Sequence, residues 1–355
     1  MKIKIISLGR ASYRRVTLTP FIETNPKLII FDDYFFSLLR CFFFSFFYNK
    51  NIIEVIFCDS YENTLNFKII NFFFTKKKIS FLWFNGITEI NKGSSFKNIN
   101  YNFFSEQQKF INKKINTIIP IPKKINIKKN NNTFLLSYIS EVIINIEDSS
   151  YKKINEQNAK VKKKIENFVW TELNKNKFEK ISNFDFSYNF VSKLIYNDSN
   201  YNKLILSNEV YKLFKHRMRY AAVSRLNKNL KDRMCLVGET WDKLGFKTFR
   251  NNYDYFNNRK IYANSTFSLD CGSTSGEYPI YLRLYEIIIN SSCLFQSKTS
   301  FSNKIFGKLS KTICFSDLDE MIYKINLLKN FDDKKLSKLK KEILVKIKAQ
   351  NFKSI

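Results

Sequence analysis

Arg283 and Glu286 stand three residues apart at the head of an apolar run, Arg283-Leu284-Tyr285-Glu286-Ile287-Ile288-Ile289. On a helix that spacing brings both side chains to one face. A guanidinium takes two phosphate oxygens at once and a carboxylate accepts both hydroxyls of a ribose, so the pair has the chemistry for a nucleoside phosphate. The same spacing also suits a surface ion pair worth roughly a few tenths of a kcal/mol. Just upstream, Gly272-Ser273-Thr274-Ser275-Gly276 is a small, hydroxyl-rich stretch. It falls between a strand expected at Phe267–Leu269 and a helix expected over Pro279–Asn290. Backbone N–H groups of such a stretch can hold phosphate oxygens, and the helix N-terminus adds about half a positive charge facing the same way. A surface loop with no ligand has the same composition. Further back, Cys235-Leu236-Val237-Gly238 reads as a strand that ends in glycine. There the backbone can approach a ligand at the carboxyl end of a parallel sheet, or the glycine serves an ordinary strand-to-helix turn.

The order and spacing of these pieces matter more than any one of them. Gly238-x-x-Trp241, then Tyr262-x-Asn264-Ser265, then Arg283-Leu284-Tyr285-Glu286 opening an apolar helix make up most of the last third of the chain. That stretch, about Tyr211 to Leu328, resembles the C-terminal domain of spore-maturation-type glycosyltransferases, members of the two-Rossmann-domain (GT-B) group. The resemblance implies an α/β chain of two Rossmann-like domains facing across a cleft. It further implies a nucleotide-sugar donor with Glu286 on its ribose and Arg283 beside it, a glycan, lipid-linked or protein acceptor, and neither cofactor nor metal. Gly9-Arg10 falls where the group keeps a loop facing the cleft. Two positions depart from the pattern. Many members carry an acid eight residues before the glutamate, where this chain has Tyr278 with Glu277 beside it, and Ile289-Asn290-Ser291-Ser292 stands where a glycine is usual. Transfer with inversion needs a base to deprotonate the acceptor hydroxyl, and Asp32 and Glu106 are the candidates; a retaining enzyme needs none. Asp317-Leu318-Asp319 reads better as a helix cap than as a metal motif.

Alternating β-like runs and amphipathic stretches must position these residues. Strands are expected at Ile3–Leu8, Lys27–Phe31, Ile53–Cys58, Ile79–Phe84 and Asn100–Phe104, with helices at Tyr34–Tyr48 and Glu62–Phe74. Pro120-Ile121-Pro122 and the run Lys128-Lys129-Asn130-Asn131-Asn132 mark a linker, so the domains are read as 1–130, 131–330 with a helical insertion, and a C-terminal helix in 331–355. In the second domain strands are expected at Thr133–Tyr138, Met234–Val237, Phe267–Leu269, Cys293–Gln296 and Thr312–Phe315. Helices are expected at Tyr151–Asn174, Phe186–Tyr196, Glu209–Leu230, Leu318–Leu328 and Lys334–Lys348. His216, Arg217 and Arg219 read as a solvated basic face with His216 partly buried.

Composition bounds the function. The chain has 355 residues, 17% of them aromatic, which excludes disorder and calls for two cores. A formal charge of +29 suits an anionic ligand. The lysines are scattered, so a nucleic-acid groove is disfavoured against a coding bias toward Lys, Asn, Ile and Phe. A basic nucleic-acid-binding protein and a catalytically inactive GT-B scaffold are the competing readings. Six cysteines without a CxxC pair and a single histidine point to buried reduced thiols and away from zinc. The apolar stretch Tyr34–Tyr48 would make a helix of about 22 Å, short of a bilayer core of roughly 30 Å. It reads as a core helix, or as a peripheral membrane face. The start, Met1 to Leu8, reads as a strand and not as a signal peptide, so a cytoplasmic location is expected.

Overall fold

The computed structural model describes the backbone of five strands within residues 1–125. It also describes residues 133–250, 255–272, 274, 282–290 and 292–349. The chain divides into two compact units, one over its first 125 residues and one over Asn126–Asn351.

In the first unit, β1 (Ile3–Ser7), β2 (Leu28–Phe31), β3 (Ile53–Phe57), β4 (Lys77–Trp83) and β5 (Ile99–Phe103) form one sheet in the order β2-β1-β3-β4-β5. Every pair is parallel. These are the Ile-, Val- and Phe-rich runs expected from the sequence, and branched or aromatic side chains suit a pleated surface.

The second unit repeats the plan. Its strands are β6 (Phe134–Ile139), β7 (Met234–Val237), β8 (Ser265–Asp270), β9 (Cys293–Ser297) and β10 (Cys314–Phe315). The order is β10-β9-β8-β6-β7, again all parallel. Strands β8 and β9 are buried at every position, as a sheet covered on both faces requires. Serines take part in that core. Ser137 Oγ, Ser268 Oγ and Ser292 Oγ follow one another at 2.7 Å, and Ser292 Oγ donates to the Ser265 carbonyl at 3.1 Å, so hydroxyls otherwise costly to bury satisfy each other across β6, β8 and the residue before β9.

Helices α1 (Ala159–Lys175), α2 (Phe184–Leu194) and α3 (Asn200–Leu230) make up the insertion between β6 and β7. They are followed by α4 (Tyr255–Ala263), α5 (Leu282–Ile289), α6 (Leu318–Leu328) and α7 (Asp333–Ala349). Two differences from the sequence expectation have clear causes. The helix expected from Tyr151 is interrupted, because Asn158 caps a new helix by accepting from the Val161 N–H at 3.0 Å. Helix α3 begins nine residues before the expected Glu209, at a Ser199 cap whose Oγ accepts from the Asn202 N–H at 3.2 Å. It packs against α1, α2, α6 and β7. Residues Leu213 to Arg219 are consequently buried in unbroken succession.

Candidate functional site

Strand β7 lies on one side of β6 and β8 on the other, so the chain reverses direction across the sheet between β6 and β8. In open parallel sheets a crevice opens at the carboxyl ends of the strands at such a point. Here those ends are Ile139 and Asp270.

Helix α3 supplies a row of polar side chains to this edge, and it corrects the expectation of a solvated basic face. Lys215, His216, Arg217 and Arg219 are all buried, with Arg219 only 3% exposed. The apolar residues between them draw the whole segment inside, and each side chain is held there by at least one partner, while His216 Nε2, Arg217 Nε and Arg219 Nε meet none among the described residues. Arg219 donates to the Glu141 carbonyl at 3.2 Å and to the Gly272 carbonyl at 2.8 Å, tying the end of β6 to the end of β8. Lys215 Nζ donates to Ser182 Oγ at 2.7 Å. Arg217 pairs with Glu166 at 2.8 Å and lies over the Trp170 ring, 4.5 Å from its centroid. His216 Nδ1 accepts the Ile143 N–H at 3.2 Å, which places any ring proton on Nε2. Burial first, then the Arg219 and Lys212 charges, hold its pKa well below the usual imidazole range.

The segment leaving β6 is fastened from several directions. Trp241 Nε1 donates to the Ser140 carbonyl at 2.5 Å, and Tyr151 Oη donates to the Ile143 carbonyl at 2.6 Å. The Thr240 hydroxyl accepts from the Val142 N–H at 3.3 Å and donates to the Val142 carbonyl. Gly238, with φ +138°, ends β7 directly against this segment. A Cβ there would overlap the Ser140 carbonyl oxygen, so the glycine serves the approach of two backbones.

On the β8 side, Asp270 is 3% exposed and its Oδ1 accepts the Gly272 N–H at 3.2 Å. Gly272 turns with φ +81°, and a Cβ there would sit 3.0 Å from Lys215 Nζ. Cys271 is buried between them, and its thiol is pushed up to about 12, first by desolvation and then by the Asp270 charge. Helix α5 carries Glu286 at 2% exposure and a half-buried Arg283. That withdrawal from water separates the pair from an ordinary surface ion pair. Two buried tyrosines register their charges. Desolvation and then Glu286 raise the pKa of Tyr262, while Arg283 works against both. Tyr138 is raised by desolvation and then by Cys271, with Arg219 and Arg283 opposing. Arg219, Asp270, Arg283 and Glu286, contributed by α3, β8 and α5, thus act on Tyr138 of β6 or Tyr262 of α4.

Of the residues singled out in the sequence, Gly238, Arg283 and Glu286 belong to this edge of the second unit, and Thr274 is a half-buried bend just beyond Gly272. Ser273, Ser275, Gly276, Glu277 and Tyr278 lie outside the described residues, as do Gly9, Arg10, Asp32, Glu106 and the apolar stretch Tyr34–Tyr48. Asp270 and Tyr138 were not anticipated, Tyr262 was noted only as part of a motif, and Arg219 was expected on a solvated face. A charged residue closing an otherwise uncharged strand, as Asp270 does, was the available signal. Cys235, Cys271, Cys293 and Cys314 are buried free thiols, and Cys41 and Cys58 lie outside the described residues. Among the described residues no group of three or more His, Cys, Asp or Glu could hold a metal ion, and no helix is long and apolar enough to cross a membrane.

No protein-family model and no curated protein matches the sequence. Solved structures with a similar chain course include T4 phage BGT in complex with its UDP-glucose substrate, at 11% identity and a TM-score of 0.45 over 99% of this chain and 96% of that one. Another is a DNA-modifying β-glucosyltransferase determined with and without uridine diphosphoglucose, at 13% identity and a TM-score of 0.43 over 99% and 96%. The N-terminal domain of Candida albicans trehalose-6-phosphate phosphatase aligns at 10% identity and a TM-score of 0.38 over 98% and 94%.

Proposed function

We propose that the chain is a metal-independent glycosyltransferase that moves a sugar from a nucleotide-sugar donor to a glycan, lipid-linked or protein acceptor. The observation that carries this reading is Glu286, a carboxylate kept almost fully from water one helical turn from Arg283, on the helix that follows β8, one of the two strands between which the strand order reverses. Burying a carboxylate is costly unless it has work to do with a partner or a ligand. In this reading Glu286 accepts the donor's ribose hydroxyls, and Arg283 offsets the charge that builds on the diphosphate as it leaves. The stretch from Ser273 through Thr274 and Ser275 to Gly276 lines the phosphates. Gly9 and Arg10 are further candidates for donor binding, and Asp32 or Glu106 is the candidate base if the reaction inverts. The protein works in the cytoplasm, with Tyr34–Tyr48 as the segment that would rest on a membrane. Tyr278, where the resembling family has an acid, favours a second reading in which the donor binds but no sugar is transferred.

A thermal-shift screen with UDP, GDP and dTDP at millimolar concentration tests the donor site. At least one should stabilise the protein, and Glu286→Gln or Arg283→Ala should lower its affinity by roughly tenfold or more, the loss expected when one charged partner is removed. A wild type indifferent to all three would rule the reading out. Hydrolysis of the matching nucleotide sugar separates the transferase from the scaffold.

A further inference from the structure

One residue at the crevice stands apart from its neighbours. From Ser140 to Ile143, all but one of the backbone polar groups are engaged, by Val237, Trp241, Arg219, Thr240, His216 or Tyr151. The exception is the Glu141 N–H, which meets no acceptor among the described residues. Its own carbonyl is gripped by Arg219, while its side chain is exposed. Gly238, lacking a side chain, packs so close that a Cβ would come 3.3 Å from the Glu141 nitrogen. A rigid segment at the carboxyl end of β6 therefore presents, on a single residue, one unused donor and one carboxylate.

That combination selects its ligand. A phosphate would welcome the N–H and be repelled by the carboxylate, and an ammonium would do the reverse. A hydroxyl is both donor and acceptor and satisfies the two together. We propose that Glu141 reads the sugar of the donor, its N–H donating to one hydroxyl and its carboxylate accepting from the same or an adjacent one. This rests on the donor site proposed above and assigns within it the group that distinguishes a nucleotide sugar from the bare diphosphate.

The test compares paired ligands by calorimetry on the full chain: UDP, GDP and dTDP, each beside its glucose, galactose or mannose conjugate. For the pair that binds the wild type, Glu141→Ala should weaken the nucleotide sugar tenfold or more and leave the bare diphosphate within about twofold. Glu141→Gln, which keeps one acceptor oxygen and the backbone N–H, should fall between. Circular dichroism checks that both variants fold, which an exposed position favours. Unchanged discrimination in Glu141→Ala, or equal loss for both ligands, overturns the assignment while leaving the donor site standing. A wild type that binds no diphosphate overturns both.

Discussion

His216 is buried with a cationic Arg219 and a cationic Lys212 for company, and that environment fixes how the protein responds to acid. Its folded pKa lies below the ordinary value near 6.5, so the unfolded chain binds the extra proton. Stability from this group is complete above the unfolded value and declines as the pH falls through it toward the lower folded one, by up to about 1.4 kcal/mol per pH unit. Asp317 and Glu320, whose pKa values are lowered, add losses only in the more acid carboxylate range. Since the chain has one histidine, the effect is attributable. The urea midpoint should drop between pH 7.5 and 5.5 in the wild type and stay nearly level in His216→Asn, whose side-chain oxygen still accepts the Ile143 N–H; an equal drop in both would refute this account. At this scale the site was only partly legible in the sequence. Arg283 and Glu286 stood out because their three-residue spacing is local. Arg219 did not, because its role depends on Glu141, 78 positions away, and Gly272, 53 positions away.

Strands were the most legible elements. The strand Met234–Val237 has the bounds expected from the sequence, as does the helix Leu318–Leu328, which Asp317 caps by accepting the Glu320 N–H at 2.8 Å. Apolar runs closed by a polar or glycine residue leave little choice of register. The start of α3 was obscured, since Asn200-Tyr201-Asn202-Lys203 carries no apolar period and is helical through its cap and its packing. Expected strand Thr312–Phe315 shrinks to Cys314–Phe315 because Ser310–Ile313 is a helical turn. The junction of β6 and β7 is the most exacting contact between elements. Gly238→Ala would force a side chain into the Ser140 carbonyl at a positive φ, and should cost about 3 kcal/mol or more, the upper range for overpacking with added backbone strain. Chemical denaturation would register this as a lower midpoint with an unaltered slope. A loss under about 1 kcal/mol would mean that the two backbones can separate.

At the scale of the whole molecule, the chain builds the same strand order twice, and all of the described crevice residues come from its second unit. A charge of +29 over 355 residues adds self-repulsion that each core must outweigh, most strongly at low salt. How the second core does so is visible in α3 and α7. Helix α7 buries Leu336, Leu339, Ile343 and Ile347 and exposes Lys334, Lys335, Lys338 and Lys341, so its two faces meet different surroundings. The middle of α3 has no outer face. Amide hydrogen exchange should therefore rise and fall every three to four residues along α7, while from Leu213 to Arg219 it should be uniformly slow, released only by global opening of the unit. Lys215, His216 and Arg219, which meet the segments leaving β6 and β8, would then share one clock with the core, so that solvent reaches their backbone only when the fold itself is lost.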